Sequence, residues 1–375
     1  MRAELQTQLI HRVLAHLEHR TTDTAAAPST RAVSAYIDPA IYERERATVF
    51  RDLPLAVGHV SQVAEPGSFL THDASGVPLL IVRGDDGELA AFLNVCRHRG
   101  TRLEQAPCGI KKAFVCPYHA WSYGRGGALL GMPHERGFEG VDREQRGLVR
   151  VPVGVAGGLV FVRPSPGELD ASSWLGPIAE DLAGFGLDTS HVYASTVVTR
   201  ALNWKLSIDV FLEAYHLRPT HQDSIYKLFF DNLGLVDPIG PHLRNVFPKR
   251  SIRELAAAPE SDWALRRHAN VLYHLFPNTL ILVEPDHAAV LHLWPIDAGH
   301  TLLTSYTLIP EPALTEKARG YWDANNAILY NAIAEDFAMG ESIQRGLASG
   351  ANREVVFGAF EHALAHFHRQ IDQRL

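Results

Sequence analysis

Hydrophobic and polar positions follow two different periods along this chain. At the N-terminus, Leu5, Leu9, Val13 and Leu17 recur at helical spacing between charged residues, which predicts an amphipathic helix. From about residue 55 the pattern changes to short β-rich runs separated by glycine, proline and aspartate, which are typical of strands. These runs cover residues 55–63, 79–83, 89–95, 113–115 and 158–162. They predict a small antiparallel β domain of about a hundred residues, which is an ordinary domain size.

The second half of the chain alternates between helical and strand patterns. Helices are predicted over residues 174–185, 203–217, 313–348 and 355–371, and strands over 192–201, 271–275, 279–283, 288–294 and 301–308. Strands grouped together with long helices around them indicate an α+β fold built on an antiparallel sheet. Residues 163–167 contain two prolines and a glycine and predict a linker. We therefore expect an N-terminal helical segment over residues 1–40, the β domain over 41–163 and a larger domain over 164–375.

Composition and charge narrow the classes of protein that remain. The 375 residues are 46% hydrophobic and 21% charged, as in ordinary folded proteins, and the net charge is -7. This acidic balance, without a polybasic tract, gives no reason to expect a nucleic-acid partner. The longest near-apolar run, residues 151–162, is too short to span a membrane, so no membrane partner is expected. Three cysteines are too few for a disulfide framework at this length, and the reducing cytoplasm is the expected compartment.

The β domain contains two cysteine–histidine pairs. Cys96 and His98 follow one β-like run, and Cys116 and His119 follow another, so each pair is expected in a loop at a strand end. Two thiolates and two imidazoles suit either a tetrahedral zinc or a [2Fe–2S] cluster with cysteines on one iron and histidines on the other. Structural zinc sites usually pair like ligands, whereas here each loop supplies one of each kind. The mixed arrangement favours the cluster, with zinc as the alternative.

A second stretch carries carboxylates and histidines at helical spacing. Asp209, Glu213 and His216 stand at i, i+4 and i+7, which places them on one face of a regular helix. His221 would lie off that face, but Pro219 is expected to bend the chain between the two histidines. Two histidines and one carboxylate form the facial triad of iron(II) oxygenases. The third ligand must then come from elsewhere in the chain.

The long late helix offers one candidate for that third ligand. Asp336 is the only charged residue in its apolar stripe, whose other members are Leu329, Ala332, Met339, Ile343 and Leu347. A buried unpaired carboxylate is costly, so Asp336 must be paired, hydrogen-bonded or bound to a metal. From the residues alone, a salt bridge and a metal ligand are equally good interpretations.

Both sets of motifs resemble those of one family. Cys96-Arg-His98-Arg-Gly100 and Cys116-Pro-Tyr-His119-Ala-Trp121 are similar to the two loops of the Rieske iron–sulfur motif, with seventeen residues between His98 and Cys116. Glu213-Ala-Tyr-His216-x₄-His221, followed by Glu335-Asp336 and Glu341, is similar to the iron site of the Rieske non-haem iron oxygenases. This is the family of ring-hydroxylating oxygenase α subunits. The resemblance implies a Rieske-type antiparallel β domain followed by a helix-grip catalytic domain.

The resemblance also implies two cofactors and their ligands. A [2Fe–2S] Rieske cluster would be held by Cys96, His98, Cys116 and His119. A mononuclear Fe(II) would be held by His216, His221 and Asp336. Cys108, which lies between the two loops, belongs to neither set.

Two further carboxylates take roles from the resemblance. Glu213 matches the bridging acid of the family, which hydrogen-bonds a Rieske histidine of the neighbouring subunit, here His119 of the partner subunit. Asp209 is a candidate for a carboxylate that supports the iron ligands without binding the iron itself. Many ring dioxygenases carry aspartate at the bridging position, whereas glutamate there resembles a homotrimeric branch that includes enzymes acting on quaternary amines. The resemblance therefore implies a head-to-tail homotrimer, a heterologous ring of the kind that closes on itself.

The implied function is that of a terminal oxygenase component. It would use O₂ and reductase-supplied electrons to hydroxylate a small aromatic or alicyclic substrate, by mono- or dioxygenation. The alternatives are a quaternary-amine monooxygenase or N-demethylase of the same family, and a non-catalytic Rieske electron carrier. No Gly-x-Gly-x-x-Gly motif opens a helix after a strand, so the flavin and iron–sulfur reductase is expected to be a separate protein, with a ferredoxin as an optional further carrier.

The sequence determines the substrate pocket less well. Several residues lie where the pocket strands and loops of the family fall, although each is more often a core residue: Phe229, Phe230, Leu235, Leu275, Asn278, His292 and Trp294. Four basic residues, Arg244, Lys249, Arg250 and Arg253, could anchor a carboxylate or an acidic partner, but a solvated face is the better interpretation for most of them.

Overall fold

The computed structural model describes all residues, 1–375. The helices are α1 Ala3–His19, α2 Ser34–Ile37, α3 Pro39–Ala47, α4 Val49–Asp52, α5 Ala171–Leu175, α6 Pro177–Gly184, α7 Trp204–Asp209, α8 Leu217–Thr220, α9 Leu265–His268, α10 Glu316–Ala348 and α11 His362–Asp372. The strands are β1 Ser29–Ala32, β2 Leu55–His59, β3 Ser68–His72, β4 Leu79–Arg83, β5 Leu89–Leu93, β6 Cys108–Ile110, β7 Ala113–Val115, β8 Ser122–Gly124, β9 Leu129–Gly131, β10 Arg150–Val151, β11 Val153–Ala156, β12 Leu159–Val162, β13 His191–Arg200, β14 Leu235–Ile239, β15 His242–Pro248, β16 Ala269–Leu275, β17 Thr279–Val283, β18 Ala288–Asp297, β19 His300–Ile309 and β20 Glu354–Phe357. None of the helices combines the length and the apolar character that crossing a membrane requires.

Residues Arg46–Trp174 form one compact unit made of three small antiparallel sheets. The strand orders are β10-β5-β4-β3-β6, β11-β12-β2 and β7-β8-β9. One of its apolar cores contains Phe69 and Phe114 together with the buried cysteines Cys96 and Cys116. Because both cysteines are packed into this core, they anchor the loops that follow them.

Met1–Glu45 and Leu175–Leu375 together form the second compact unit. Its centre is a seven-stranded antiparallel sheet in the order β13-β19-β18-β17-β16-β15-β14. A smaller two-stranded sheet pairs β1 with β20, and α10 is the longest helix. The prediction of an α+β fold with antiparallel sheets is confirmed.

The helix α10 approaches the segment after β13 closely at one glycine. A Cβ atom at Gly340 would lie 2.5 Å from Leu202 Cδ1, so a side chain there would force the Leu202 side chain to move. Asp336 is one helical turn before Gly340 and is buried, with 6% of its surface exposed. The glycine thus allows close packing of α10 against Leu202, one helical turn from Asp336.

The predicted helix over residues 203–217 is wrong after its first half. The helix α7 ends at Asp209, and His216 precedes the separate short helix α8. After Asp209 the backbone changes to i→i+3 hydrogen bonds, from Phe211 N to Ile208 O and from Leu212 N to Asp209 O. The Glu213 carboxylate then accepts hydrogen bonds from the backbone N–H groups of Tyr215 and His216, which forms a local turn in place of a helix. Asp209, Glu213 and His216 therefore do not share one helix face.

The predicted apolar stripe of α10 is also partly wrong. Met339 and Ile343 are 48% and 42% exposed, whereas Phe337 and Gly340 are buried. Only one side of the stripe, which includes Ala332 and Asp336, turns toward the interior. A regular 3.6-residue period predicts a face but does not fix which of two adjacent rows is covered.

A buried ion pair joins α3 to α7 and gives a test of the fold. Lys205 Nζ lies 2.6 Å from Glu45 Oε1, both side chains are fully buried, and Trp204 Nε1 donates to Glu45 Oε2 at 2.8 Å. Burial lowers the pKa of Lys205, although Glu45 opposes this change. We expect Glu45→Gln to leave a buried ammonium without its counter-charge, to destabilise the fold by about 3–5 kcal/mol, and to lower the melting temperature measured by calorimetry.

The exposed pair of Arg143 and Glu135 provides the control for that experiment. Exposed pairs contribute at most about 1 kcal/mol, so Glu135→Gln should leave the melting temperature nearly unchanged. Equal melting temperatures for Glu45→Gln and the unmodified chain would contradict the expectation.

Candidate functional site

Two histidines and a carboxylate meet beside α10. His221 Nε2 lies 2.9 Å from Asp336 Oδ1, and His216 Nε2 lies 3.2 Å from the same oxygen. One ligand atom from each of these residues lies within 4.8 Å of the other two. His221 is 1% exposed and His216 is half-buried. The three ligand atoms converge on a common point, the place where a metal ion would bind. Two imidazoles and one carboxylate are the donor set of a non-haem iron site.

A second carboxylate holds the other nitrogen of each histidine ring. His216 Nδ1 contacts Glu213 Oε1, and His221 Nδ1 lies 2.5 Å from Glu335 Oε2. Ser224 Oγ donates to Glu335 Oε2 at 2.6 Å and helps to hold it. Because a carboxylate accepts the Nδ1 proton, each ring presents the Nε2 lone pair to the common point. This is the orientation that metal-binding histidines require.

The charges around this point favour a cation. Burial disfavours the charged imidazole of His216, but hydrogen bonds to Asp336 and Glu213 outweigh it and raise its pKa to about 10. For His221, burial again lowers the pKa, while Asp336 and Glu335 raise it above its ordinary value overall. A divalent ion bound between the Nε2 atoms and Asp336 would supply the positive charge that these carboxylates stabilise. The residues therefore fit a metal.

Asp209 lies in a different set of contacts from the two histidines. Its carboxylate accepts a hydrogen bond from Tyr36 Oη at 2.7 Å and lies 3.0 Å from His368 Nε2. Burial and the neighbouring Asp209 raise the pKa of Tyr36. Asp209 thus ties α2, α7 and α11 together and is not among the three residues whose ligand atoms converge.

A cavity of about 180 Å³ adjoins the three converging residues. Glu213, His216, His221 and Asp336 form one part of its wall. Most of the remaining lining is hydrocarbon and includes Phe211, Leu217, Phe229, Phe247, Val271 and Ile333. Leu228 and Ile328 also line it and are 47% and 62% exposed, which marks where the cavity opens to solvent. A small organic molecule would be held beside the histidines with most of its surface out of water.

Sequence reasoning recovered only part of this lining. Phe229 is a wall residue, whereas Phe230, Leu235, Leu275, Asn278, His292 and Trp294 do not line the cavity. Lys249, one of the four basic residues for most of which the sequence predicts a solvated face, lines the cavity with its side chain 16% exposed. Glu335 appeared in the sequence only as part of a motif, and its adjacency to Asp336 was the available signal for its role beside His221.

The two cysteine loops of the other unit have the same backbone. Cys96 N donates to Thr101 O at 2.8 Å, and Cys116 N donates to Trp121 O at 2.8 Å. In each loop the residue four positions after the cysteine donates back to the cysteine carbonyl and has a positive φ, +80° at Gly100 and +59° at Ala120. A positive φ is unusual for alanine, so the loop geometry at Ala120 is imposed by its surroundings.

These loops bring their two histidine rings together. The ring centroids of His98 and His119 are 4.7 Å apart, and the His98 ring stacks on Trp121 at 4.8 Å. His119 Nδ1 is buried without a hydrogen-bond partner. Burying an imidazole nitrogen unpaired is costly, so a metal ligand bond at Nδ1 would account for it. With the two buried cysteines, the loops supply the donor set of a [2Fe–2S] cluster of mixed ligation.

Comparisons with known proteins cover both units. The family model for the Rieske [2Fe-2S] domain matches residues 54–149, and the model for the ring hydroxylating alpha subunit (catalytic domain) matches residues 187–375. A glycine betaine monooxygenase oxygenase subunit from Pseudomonas aeruginosa is 28% identical, over 84% of this chain and 82% of the relative. A carnitine monooxygenase oxygenase subunit from Escherichia coli is 28% identical, over 90% of this chain and 91% of the relative.

A solved structure shares the fold. It is that of a quaternary ammonium Rieske monooxygenase, described in terms of carnitine oxidation by gut microbiota and inter-subunit electron transfer. Its TM-score is 0.81 at 24% identity, covering 92% of this chain and 95% of that one. The chain is therefore an oxidoreductase that uses O₂ and reductase-supplied electrons, with a Rieske [2Fe–2S] cluster and a mononuclear iron as cofactors. It belongs to the ring-hydroxylating oxygenase α-subunit family of Rieske non-haem iron oxygenases.

Proposed function

We propose that this oxygenase component acts on a quaternary ammonium substrate. The observation that carries the proposal is a cavity bounded at one side by the two histidines and Asp336 and lined elsewhere by hydrocarbon. Phe211, Phe229 and Phe247 are among its wall residues, and aromatic faces attract quaternary ammonium groups. The similarity to glycine betaine and carnitine monooxygenase subunits supports the same substrate class.

The donor sets support an assignment of the residues that would hold the two cofactors. His216, His221 and Asp336 would hold the iron, and the paired loops would hold the cluster through Cys96, His98, Cys116 and His119. When bound, the iron provides O₂ activation and the cluster provides single electrons. The chain itself positions the substrate in the cavity and keeps the surrounding carboxylates oriented.

Glu213 has two tasks in this proposal. Its carboxylate holds His216 Nδ1 and so orients one iron ligand. In a homotrimer, the same carboxylate would also meet His119 of the partner subunit and connect the two metal sites. The relative with inter-subunit electron transfer supports this arrangement. A separate reductase, with or without a ferredoxin, would deliver the electrons, and the three free cysteines suit a reducing cytoplasm.

The overall reaction balances as a monooxygenation. One C–H bond of the substrate becomes C–OH, O₂ supplies that oxygen, and the second oxygen leaves as water with two electrons and two protons. Hydroxylation of a carbon next to the quaternary nitrogen gives a cationic carbinolamine; its C–N bond breaks as the hydroxyl loses its proton, which releases an aldehyde, the tertiary amine and one proton.

Substrate-dependent O₂ uptake tests the proposal. The purified chain, loaded with iron and cluster, is supplied with NADH and a competent reductase and offered choline, glycine betaine, carnitine, toluene or cyclohexane. We expect a quaternary ammonium compound to stimulate O₂ uptake, with one aldehyde and one tertiary amine formed per O₂. No stimulation by any quaternary ammonium compound would overturn the proposal.

A second candidate function rests on the lining of the cavity. Its wall includes aliphatic side chains such as Val271, Leu272 and Ile333, which also suit an aromatic or alicyclic ring. In the same assay, hydroxylated toluene or cyclohexane formed with O₂ uptake would favour this function over the first.

Tyr123 gives a test of the proposed cluster ligands. Its hydroxyl lies 3.4 Å from Cys96 Sγ, and hydrogen bonds to cluster sulfurs stabilise the reduced, more negative state. We expect Tyr123→Phe to lower the reduction potential by roughly 40 mV, the equivalent of one hydrogen bond of about 1 kcal/mol. Potentiometric titration of the cluster spectrum measures this change. Tyr118→Phe, on the exposed Tyr118, is the control, and an unchanged potential in Tyr123→Phe would contradict the assignment.

A further inference from the structure

The cavity has a polar part that the iron site does not use. Lys249, Asn270, Glu284 and His287 line it, and we name these four residues the distal polar cluster. Lys249 follows β15, Asn270 is the second residue of β16, Glu284 follows β17 and His287 precedes β18, so the four residues gather at one end of these neighbouring strands. Glu284 N donates to His287 O at 2.9 Å in the turn between β17 and β18.

The helix α10 places this cluster far from the converging histidines. The His287 ring contacts Trp322 of α10, with centroids 5.6 Å apart. Asp336 is fourteen residues further along the same helix, which is about 21 Å along its axis. Asn325, Leu329 and Ala332 line the cavity between these two points. The cavity is therefore elongated, with the iron ligands at one end and the distal polar cluster at the other.

Two buried polar atoms of the distal polar cluster have no hydrogen-bond partner. They are Asn270 Oδ1 and His287 Nε2, and His287 is 6% exposed. Asn270 Nδ2 donates to Glu284 Oε1 at 2.7 Å, which fixes the amide orientation because a carboxylate only accepts. His287 Nδ1 lies 2.8 Å from Asp286 Oδ1, and because a carboxylate only accepts, Nδ1 donates and Nε2 is the ring nitrogen left without a partner. Unpaired buried acceptors are costly unless a ligand donates to them.

The charged side chains near the distal polar cluster have no net charge. Lys249 Nζ lies 3.5 Å from Glu284 Oε2, with the two side chains 16% and 15% exposed. Asp286 adds one negative charge, and Arg266, which donates to the backbone carbonyls of Glu284 and His287, adds one positive charge. Two cations and two anions leave no net charge for an ionic group of a ligand to neutralise. An uncharged donor suits this environment better than an ammonium or a carboxylate.

We infer that the distal polar cluster is a specificity subsite for an uncharged hydrogen-bond donor, a hydroxyl or an amide N–H, at the end of the substrate remote from the oxidised carbon. The inference deepens the proposed function and rests on it, since it names a second group on the same quaternary ammonium substrate. Asn270 and His287 accept from this group, and the hydroxyl or amide oxygen can accept from Lys249.

Binding of a matched series of ligands tests the subsite without turnover. The full chain, loaded with iron and the [2Fe–2S] cluster, is titrated anaerobically by calorimetry. The ligands are trimethylammonium compounds that carry linear tails of graded length. The tails end in methyl, hydroxyl, carboxamide, ammonium or carboxylate. At the length that spans the cavity, we expect the hydroxyl or carboxamide ending to bind about tenfold more tightly than methyl.

Variants test whether the preference for a hydroxyl or carboxamide ending depends on the distal polar cluster. His287→Phe keeps an aromatic ring beside Trp322 but removes the acceptor, and should reduce the preference to about the level of the methyl compound. His287→Gln returns an acceptor and should restore part of it. His268→Phe is the matched control, because His268 hydrogen-bonds Ser251 near the same strand ends and does not line the cavity.

The possible outcomes separate the inference from the proposed function. Equal affinity for methyl and hydroxyl endings at every length would overturn the subsite and leave the quaternary ammonium substrate standing. Tightest binding of the ammonium or carboxylate ending would overturn the assignment to an uncharged donor. No binding of any trimethylammonium compound would overturn the proposed function and the subsite with it.

Discussion

Replacing Asp336 with asparagine is expected to remove about one of three irons per chain and to leave about two irons and two acid-labile sulfides. Asp336 Oδ1 lies 2.9 Å from His221 Nε2 and 3.2 Å from His216 Nε2, so one carboxylate oxygen serves both histidines. An amide oxygen in the same place is a weak, neutral donor and cannot balance a divalent ion. Carboxylate ligands are deprotonated anions, and their charge is part of the binding free energy.

The same variant should lose oxygenase activity. Changes to residues that merely support metal ligands cost about 10- to 100-fold in affinity or activity, so loss of a ligand should lower substrate-dependent O₂ uptake by more than about a hundredfold. The cluster spectrum and its reduction by the reductase should remain, because the residues proposed to hold the cluster lie in the other compact unit. Metal and sulfide analysis, with O₂ uptake on the same preparations, measures both parts.

Asp323→Asn is the matched control on the same helix. Asp323 is exposed and accepts a hydrogen bond from Tyr193 Oη at 2.7 Å, so the change should leave metal content and O₂ uptake unaltered. Three irons in Asp336→Asn would show that Asp336 is not a ligand. Two irons in the unmodified, iron-loaded chain would instead favour the electron-carrier alternative.

Local pattern predicted the elements whose neighbours are close in sequence. The strands over 79–83, 113–115 and 279–283 have the predicted bounds, because each belongs to a hairpin in which alternation and turn residues carry the information. The long late helix begins only three residues later than predicted, at Glu316. The convergence of His216, His221 and Asp336 followed from the family resemblance, since no local pattern relates residues 115 positions apart.

The features that escaped prediction have both local and tertiary causes. Beyond Asp209, the Glu213 carboxylate accepts from the backbone N–H of His216 and forms a local turn, an alternative that helical spacing cannot exclude. Asp209 finds its partners in Tyr36 and His368, which are 173 and 159 positions away in the chain. The distal polar cluster is assembled from the ends of four strands, and none of its members has a distinctive sequence neighbourhood.

Glu213→Gln should separate electron delivery from iron binding. The Glu213 carboxylate contacts His216 Nδ1 and accepts from the backbone N–H of His216 at 3.1 Å. Glutamine keeps one acceptor oxygen and nearly the same shape, so most of the iron should remain bound. It loses the negative charge and the second acceptor that a bridge to His119 of the partner subunit would use. We expect iron content near that of the unmodified chain and slower transfer of electrons from cluster to iron.

Single-turnover kinetics measure that step directly. The cluster is reduced, substrate and O₂ are added without reductase, and cluster reoxidation is followed by absorbance per bound iron. Glu213→Gln should slow it by about 10- to 100-fold, the range found for residues that support metal ligands. Glu335→Gln is the matched control, because Glu335 holds His221 as Glu213 holds His216 but has no proposed contact across subunits. Like Glu213→Gln it should keep most of its iron, but it should leave the rate per bound iron unchanged. If Glu213→Gln reoxidises its cluster at the unmodified rate, Glu213 only positions His216, and the electrons reach the iron by another route.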